Sequence, residues 1–256
     1  MSLELFSLKG KVAVVTGSGR GLGRAIAEGM AKAGAAVVTC SRTIAEADAT
    51  ATAIRDAGGR ALALQMDVNQ KPECERLVDR AVEAFGRLDI MLCSASIDRP
   101  MPADEVDPQT LEMILATNIG GYLYAAQAAA RPMTKQGGGA IVMISSNASK
   151  VGFRRLLSYG ISKGGVDQMV RTLAVEWADR GIRVNAFNPG YLEHPMTGTE
   201  DWEADPSVAA SVEAFTPMRR RGRLEEIVGP AIFLASDAAS FITGVTMPVD
   251  GGWCAM

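Results

Sequence analysis

A tyrosine and a lysine stand four positions apart, at Tyr159 and Lys163, in a segment with apolar residues at helical spacing. Residues four apart lie on one face of a helix, about one turn from each other. Because a nearby ammonium favours the phenolate, we expect Tyr159 to titrate below its ordinary pKa of about 10. Such a tyrosine can give a proton to a developing alkoxide or take one from an alcohol. A core tyrosine with a surface lysine would show the same spacing, so the pair alone does not establish a catalytic site.

A serine follows the apolar run that precedes this pair. Ser146 comes directly after Ala140–Ser145, which reads as a buried strand. A hydroxyl at the end of that strand can hydrogen-bond the same substrate oxygen as the tyrosine. Ser145 is the competing serine, and neighbours on a strand point to opposite faces. The spacing to the tyrosine favours Ser146.

A glycine-rich turn follows the first apolar run of the chain and leads into a helical segment. Backbone N–H groups in such a turn can face a pyrophosphate at the positive end of the helix, and a Cβ would block that approach. The spacing departs from G-x-G-x-x-G because Leu22 occupies the slot of the third glycine. Similar turns also occur without a ligand. The predicted phosphate-binding residues are Gly17, Gly19, Arg20, Gly21, Leu22 and Gly23.

The end of the second apolar run bears on the choice between NAD and NADP. An acidic residue there would bind the ribose 2′-hydroxyl and favour NAD. This chain instead has Cys40-Ser41-Arg42, with no carboxylate. Arg42 and Arg20 can pair with a 2′-phosphate, which favours NADP over NAD. The alternative is that both arginines merely face solvent.

These groups are carried by an alternation of apolar runs and helical segments, which predicts a parallel sheet with helices on both faces. Right-handed crossovers then give a doubly wound sheet, the Rossmann fold, of about seven strands. Pro248 places the last strand at an edge or a strand end. The predicted strands are 11–16, 35–40, 61–66, 88–93, 140–145, 182–187 and 245–250. The predicted helices are 22–33, 44–57, 72–85, 108–130, 159–178 and 225–235.

Composition excludes several classes of protein. Apolar residues make up 48% of the 256 residues and the net charge is −3, so a sizeable core is expected and a nucleic-acid surface is not. The dense arginines of 219–223 fit a solvated loop. No apolar run is long enough for a membrane span, and the first ten residues do not read as a signal peptide. The four cysteines are scattered, which indicates reduced thiols in the cytoplasm and no metal site.

We find no linker or internal repeat, so we expect a single domain over residues 1–256. Residues 191–217 interrupt the alternation. A segment of that length without a strong pattern is often a substrate lid.

Taken in order, the motifs resemble the short-chain dehydrogenase/reductase family essentially from end to end. That resemblance implies a hydride transfer between a nicotinamide cofactor and a ketone or secondary alcohol, and a homotetramer formed through the fourth and fifth helices and the C-terminal strand. A catalytically quiet NAD(P)-binding regulator on the same fold is the alternative function. The matching motifs are Thr16-Gly17-x-x-x-Gly21-x-Gly23, Asn118, Ser146, Tyr159-x-x-x-Lys163, Pro189-Gly190 and Val249-Asp250-Gly251-Gly252.

The same resemblance implies individual roles. Tyr159 is the acid/base, and Lys163 lowers its pKa and binds the nicotinamide ribose. Ser146 orients the substrate carbonyl, and Asn118 holds a water that links Lys163 to solvent. Asp67 resembles the residue that contacts adenine, although a helix cap or loop aspartate would look the same. The other expected cofactor contacts are Ser41, Arg42, Val68, Ser94, Ala95, Pro189, Gly190 and the backbone of Leu192.

The chain departs from the family pattern at two places. After the fourth strand, members of the family usually have Asn-Asn-Ala-Gly, in which the asparagine braces the central strands and the glycine leaves room for the cofactor. This chain has Cys93-Ser94-Ala95-Ser96 instead. We expect cofactor binding to survive because backbone contacts dominate it. A threonine that usually follows Pro189-Gly190 is replaced by His194, for which we expect polar surface rather than catalysis.

The substrate pocket is expected outside the carboxyl ends of the strands. Its candidate walls are 97–99, 148–156 and the 191–217 segment with Phe215. Cations at Lys150, Arg154 and Arg155 would suit a polar or anionic, sugar-like substrate, and a solvated or subunit-facing loop is the alternative. The opening 5–11 and Pro189-Gly190-Tyr191 resemble gluconate 5-dehydrogenase-type members of the family. The candidate substrate contacts are Arg154, Tyr191, His194 and Trp202.

Overall fold

The protein folds around one parallel sheet, seen in a computed structural model that describes residues 3–194, 196 and 198–256. The strands are β1 (Val12–Thr16), β2 (Ala36–Ser41), β3 (Arg60–Gln65), β4 (Ile90–Cys93), β5 (Gly139–Ile144), β6 (Ile182–Pro189) and β7 (Thr246–Val249). They lie in the order β3-β2-β1-β4-β5-β6-β7, and each neighbouring pair is parallel. The predicted doubly wound sheet is therefore confirmed.

Helices cover both faces of the sheet. They are α1 (Gly21–Lys32), α2 (Ile44–Asp56), α3 (Lys71–Phe85), α4 (Pro108–Leu115), α5 (Gly121–Lys135), α6 (Leu157–Trp177), α7 (Glu200–Glu203), α8 (Pro206–Phe215) and α9 (Leu224–Ala235). Within the described residues, no helix is long and apolar enough to cross a membrane.

Alternation along each strand divides the core into two layers. In β1, Val14 packs with α3, α5 and α6, whereas Ala13 and Val15 pack with α1 and α9. Successive side chains of a strand point to opposite faces, and here both faces are covered. All five residues of β1 are consequently buried. This two-sided burial is the physical origin of the unbroken apolar runs in the sequence.

The sheet edges are less buried. Among the strands that the structure describes, β7 pairs with β6 alone, and Pro248 is exposed within β7. Proline lacks the N–H that a further strand would need, so the expected edge position of Pro248 is confirmed. At the opposite edge, β3 has no fully buried residue.

The helical segment predicted over 108–130 is longer than expected and contains an irregularity. α4 and α5 are joined by a π-helical turn, Ala116–Gly120, and α5 continues to Lys135 with Pro132 inside it. A π-turn inserts one residue into the helical repeat, and such turns are frequent at functional sites. This one directs Asn118, which is fully buried, into the interior.

The 191–217 segment carries two short helices, α7 and α8, between β6 and α9. It is fixed to the rest of the chain by an ion pair between Arg221 and Glu203 at 2.5 Å. The Arg221 guanidinium also lies 5.3 Å from the centre of the Tyr191 ring. Pro195 and Thr197, within this segment, lie outside the described residues.

Candidate active site

A cleft of about 740 Å³ opens at the carboxyl ends of the central strands. The strand order reverses between β1 and β4, and ligands of open α/β sheets bind at this switch point. Residues from the glycine-rich turn line one end of the cleft, and residues from the 191–217 segment line the other.

The glycine-rich turn lines the cleft with all six predicted residues. Two glycines serve the packing of the turn: a Cβ on Gly17 would lie 2.8 Å from the Ala95 Cα, and one on Gly23 would lie 2.3 Å from the Gly17 carbonyl oxygen. Gly21 differs, because it has a φ of +53° and no atom of the described residues lies within 4 Å of the position a Cβ would take. The backbone there faces open space at the start of α1, as an approaching phosphate requires.

Next to this turn, Ser41 and Arg42 line the cleft together with Arg20. The structure places a carboxylate here that the residues at the end of the second strand did not predict. Glu46 accepts a hydrogen bond from the Ser41 hydroxyl at 3.0 Å and lies 4.0 Å from the Arg20 guanidinium. It belongs to the first turn of α2, which folds back over the end of β2, so its position depended on the turn between the two elements. The spacing of α2, together with the short turn after β2, could have predicted that Glu46 lies near Ser41.

The predicted adenine side of the cleft is formed by Asp67 and Val68, which both line it. The Asp67 carboxylate accepts a hydrogen bond from the backbone N–H of Asn69 at 3.0 Å. This is the loop-aspartate arrangement that the sequence left open, and it does not prevent the second carboxylate oxygen from meeting a ligand. Val68 packs against Gly121 at the start of α5.

The altered segment after β4 is held to β1 by a threonine. The Thr16 hydroxyl accepts hydrogen bonds from the Ser94 and Ala95 N–H groups, at 3.0 and 3.2 Å. Thr16 is 1% exposed, so these bonds brace the central strands from inside the core. Ser94, Ala95 and Ser96 line the cleft, and the buried Ser96 hydroxyl has no hydrogen-bond partner among the described residues.

Tyr159 and Ser146 line the same wall of the cleft. Ser146 lies two residues beyond the end of β5 and is 8% exposed. Tyr159 lies half-buried in the first turn of α6. Burial raises the pKa of Tyr159 above its ordinary value, the Asp98 carboxylate raises it further, and a hydrogen bond with Ser146 opposes both. The expected downward shift is therefore wrong for this structure: the loss of solvation outweighs any effect of the lysine.

Lys163 is 1% exposed and is directed into the protein interior. Its ammonium donates to the Ile144 carbonyl oxygen at 2.8 Å and contacts the Tyr122 hydroxyl at 3.4 Å. It lies 5.4 Å from the centre of the Tyr159 ring. Burial lowers the pKa of Lys163 to about 7, although Asp167 and Asp98 oppose this change. The lysine therefore shares the wall with the tyrosine and can exchange a proton near neutral pH.

Asn118 connects the π-turn to the segment after β4 and to α6. Its amide oxygen accepts from the Ile97 N–H at 2.9 Å, and its amide nitrogen donates to the Ile97 carbonyl at 2.9 Å. The same nitrogen donates to the Ser162 hydroxyl at 3.0 Å, and Ser162 in turn donates to the Tyr159 carbonyl. Asn118 thus fixes the segment after β4 relative to α6.

The substrate end contains three of the four residues that were predicted to contact substrate: Tyr191, His194 and Trp202. Pro189, Gly190 and Leu192 also line the cleft. Arg154 does not: it is exposed and lies outside the cleft lining. Its loop turns sharply, and the next residue, Arg155, has a φ of +67°. Closeness to Ser146 in the sequence therefore did not place Arg154 on the cleft wall.

Lys150, the other cation near Ser146, is engaged elsewhere. It pairs with Asp167 at 2.9 Å and donates to the Thr246 hydroxyl at 2.6 Å. Phe215, a candidate wall residue, lies outside the cleft lining and packs on Trp253 with ring centres 5.7 Å apart.

The end of the cleft formed by the 191–217 segment also contains residues that no sequence motif had indicated. Phe153 lies on the cleft wall with its ring centre 6.0 Å from that of Tyr191, and Trp253 supports both from behind. Glu203 also lines the cleft. Trp253 comes from the C-terminal turn, about 60 residues beyond Tyr191 in the chain, so no local pattern could have placed them together.

Comparison with known proteins places this arrangement among dehydrogenases. A family model described as enoyl-(acyl carrier protein) reductase matches residues 17–254. A cis-4-hydroxycyclohexanecarboxylate dehydrogenase of Sinomonas cyclohexanicum is 41% identical over 96% of this chain and 97% of its own. A 2-dehydro-3-deoxy-D-gluconate 5-dehydrogenase of Escherichia coli (strain K12) is 39% identical, with 100% of both chains covered. A gluconate 5-dehydrogenase from Burkholderia cenocepacia, solved with NADP and tartrate, superposes with a TM-score of 0.95 at 34% identity, with 100% of both chains covered.

Proposed function

Because the chain belongs to the short-chain dehydrogenase/reductase family, we propose that it is an NADP(H)-dependent oxidoreductase acting on a ketone or secondary alcohol. The observation that carries the proposal is the placement of Ser146, Tyr159 and Lys163 on one wall of the cleft that the glycine-rich turn enters. A regulator that only binds cofactor would not need these three groups together, and the relatives named above are dehydrogenases.

The cleft fits a dinucleotide. The open backbone at Gly21 suits the pyrophosphate, and Asp67 and Val68 lie on the predicted adenine side. Arg20 and Arg42 supply positive charge for a 2′-phosphate, which favours NADP over NAD. Glu46 moderates this charge, since it lies near the Arg20 guanidinium. The solved relative from Burkholderia cenocepacia binds NADP, which supports the same choice here.

Proton transfer follows from the site's own side chains. When bound, NADPH supplies a hydride to the carbonyl carbon, and NADP⁺ accepts it in the reverse direction. The Ser146 hydroxyl hydrogen-bonds the substrate oxygen and orients it. The raised pKa of Tyr159 keeps its phenol protonated at neutral pH, so it gives its proton to the oxygen as negative charge develops there. Oxidation needs the phenolate and is therefore favoured by higher pH.

Lys163 and Asn118 act behind the tyrosine. The Lys163 pKa of about 7 suits an ammonium that restores the phenol's proton near neutral pH. Its position beside α6 also suits contact with the nicotinamide ribose. Asn118 fixes Ile97 and α6 relative to each other, and a water held at its amide is the proposed link to solvent.

A Tyr159→Phe variant tests the acid/base assignment. We expect turnover of ketones with NADPH to fall by about 10²-fold or more, whereas the Kd for NADPH, measured by fluorescence, changes less than about threefold. Tyr124→Phe is the matched control, because Tyr124 lies outside the cleft lining. Normal turnover by Tyr159→Phe would refute the assignment.

Arg42→Ala tests the cofactor choice. Loss of a charge-assisted contact with the 2′-phosphate should weaken NADP⁺ binding by about tenfold or more and leave NAD⁺ binding within about twofold. Equal NADP⁺ affinity in wild type and variant would remove the basis for this choice. Arg55→Ala, an exposed arginine of α2, provides the control.

We further propose one domain over residues 1–256, with 191–217 as its substrate lid, in a cytoplasmic homotetramer. Exposed apolar side chains on α4 and α6, at Met113, Leu157 and Ile161, support association through these helices. Ile114, by contrast, is fully buried and belongs to the monomer core. Buried free thiols at three cysteines support a reducing compartment. Light scattering after gel filtration tests the tetramer.

A further inference from the structure

The substrate end of the cleft contains a buried carboxyl. Asp98 is 2% exposed and lines the cleft. Its Oδ1 accepts a hydrogen bond from the Arg99 N–H at 2.7 Å, the one protein donor to this side chain within the described residues. A buried carboxylate is expensive unless further donors reach it. Its remaining acceptor capacity is therefore available to a group that enters the cleft.

Facing the same space is an aromatic wall, formed by Phe153, Tyr191 and Trp202. The ring centres of Tyr191 and Trp202 are 6.0 Å apart, and their planes are inclined by 35°. Trp253 packs behind the wall, 5.2 Å from Phe153 and 5.5 Å from Tyr191. Rings that are braced in this way offer a stiff apolar surface to a flat or ring-shaped substrate.

The charges at this end disfavour an anionic substrate. Glu203 lines the cleft as a second carboxylate, paired with Arg221. Arg99 also lines the cleft, but it is exposed, its guanidinium donates to the Asp98 carbonyl, and its charge acts on Glu200. An acid would thus meet two carboxylates, whereas the nearby cations are either exposed, as Arg99 is, or buried behind Tyr159, as Lys163 is. A neutral molecule with a hydroxyl avoids the repulsion, and its O–H can form a charge-assisted bond with Asp98.

We propose that the substrate is a neutral cyclic polyol or its ketone, whose ring packs on the aromatic wall and whose second hydroxyl, next to the reacting carbon, donates to Asp98. This inference rests on the proposed function and names its substrate class. It makes Asp98 a specificity residue, since the carboxylate contacts the hydroxyl beside the reacting centre and itself neither gives nor takes the transferred hydride or proton.

Three alcohols offered with NADP⁺ to the full-length protein test the class: cis-1,2-cyclohexanediol, cyclohexanol and gluconate. Assays at pH 8 keep Asp98 ionised, because burial raises its pKa only to about 6. We expect kcat/KM for the diol to exceed that for cyclohexanol by about tenfold or more, and gluconate to be the poorest of the three. Comparing the diol with cyclohexanol measures the effect of the second hydroxyl. Comparing the diol with gluconate measures the effect of a negative charge on an open-chain polyol.

Asp98→Asn then tests the residue. It should reduce the ratio of kcat/KM for the diol to kcat/KM for cyclohexanol by about tenfold and raise the ratio of kcat/KM for gluconate to that for cyclohexanol. Loss of the Asp98 charge also lowers the pKa of Tyr159, but this affects the three alcohols alike and cancels in both ratios. Asp104→Asn, an exposed aspartate outside the cleft lining, is the matched control. An unchanged NADP⁺ Kd shows that the variant is folded.

Preference for gluconate over the diol, no turnover of the diol, or an unchanged ratio in Asp98→Asn would each overturn the inference. The order of kcat/KM for the three alcohols in the wild-type protein can therefore refute the inference without any variant. None of these results touches the proposed function, which is judged separately by NADP⁺ binding, by a wider ketone panel and by Tyr159→Phe.

Discussion

Replacing Lys163 by methionine should make the protein more stable and nearly inactive. Lys163 is 1% exposed, so its charge has lost nearly all contact with solvent, which is costly. A fall in pKa from 10.5 to about 7 corresponds to roughly 4 kcal/mol of unfavourable free energy at pH 7. Methionine has a similar length and no charge, so it removes this penalty.

The gain is smaller than the full penalty. Lys163 donates to the Ile144 carbonyl, a bond worth about 1.5–3 kcal/mol when one partner is charged. That oxygen keeps a second donor, the Tyr122 hydroxyl at 3.2 Å, so it is not left unpaired. We therefore expect Lys163→Met to raise the free energy of unfolding by about 1–3 kcal/mol at pH 7.

The sign of the pH dependence provides an independent check. The unfolded lysine binds its proton up to a pKa near 10.5, whereas the folded one releases it above about 7. The penalty is thus fully present below pH 7 and disappears as the pH rises toward 10.5. The stability difference between variant and wild type should shrink across the same interval.

Urea unfolding at pH 7 and pH 9.5 measures both effects, and turnover with NADPH measures the loss of activity. Lys135→Met, at the exposed end of α5, is the control and should change stability by less than about 0.5 kcal/mol. A Lys163→Met protein that is less stable than wild type at pH 7, or a stability difference that grows with pH, would refute the assignment of a buried, destabilised ammonium.

Three further predictions follow from other contacts. Thr16→Val leaves the Ser94 and Ala95 N–H groups without their acceptor and should cost about 2 kcal/mol or more of stability in urea unfolding, whereas an unchanged midpoint would contradict the bracing role. Arg154→Ala should leave kcat/KM and the NADPH Kd within about twofold, because its side chain lies outside the cleft, and a tenfold loss would restore it as a substrate contact. The raised pKa of Tyr159 predicts that alcohol oxidation accelerates from pH 7 to 10 while ketone reduction does not, and parallel pH–rate profiles would argue against the tyrosine as the titrating group.

The sequence by itself determined the order and type of the main elements. Two-sided burial leaves unbroken apolar runs, and one-sided burial leaves helical spacing, so all seven strands and the long helices could be predicted. It also determined that Tyr159 and Lys163 share a helix face, and that the glycine-rich turn joins β1 to α1. These are local properties: each depends on residues within about one turn or one strand.

Only the tertiary structure decided the electrostatics and the substrate end. The Tyr159 pKa rises rather than falls because burial by distant segments removes solvent, which spacing along a helix does not reveal. Glu46 reaches the Ser41 hydroxyl because α2 folds back over β2, and Arg154 lies outside the cleft lining although it is close in sequence to Ser146. Trp253 supports Phe153 across about 100 residues of chain. Desolvation and long-range contact depend on how the elements pack, and packing is a property of the whole fold rather than of any segment.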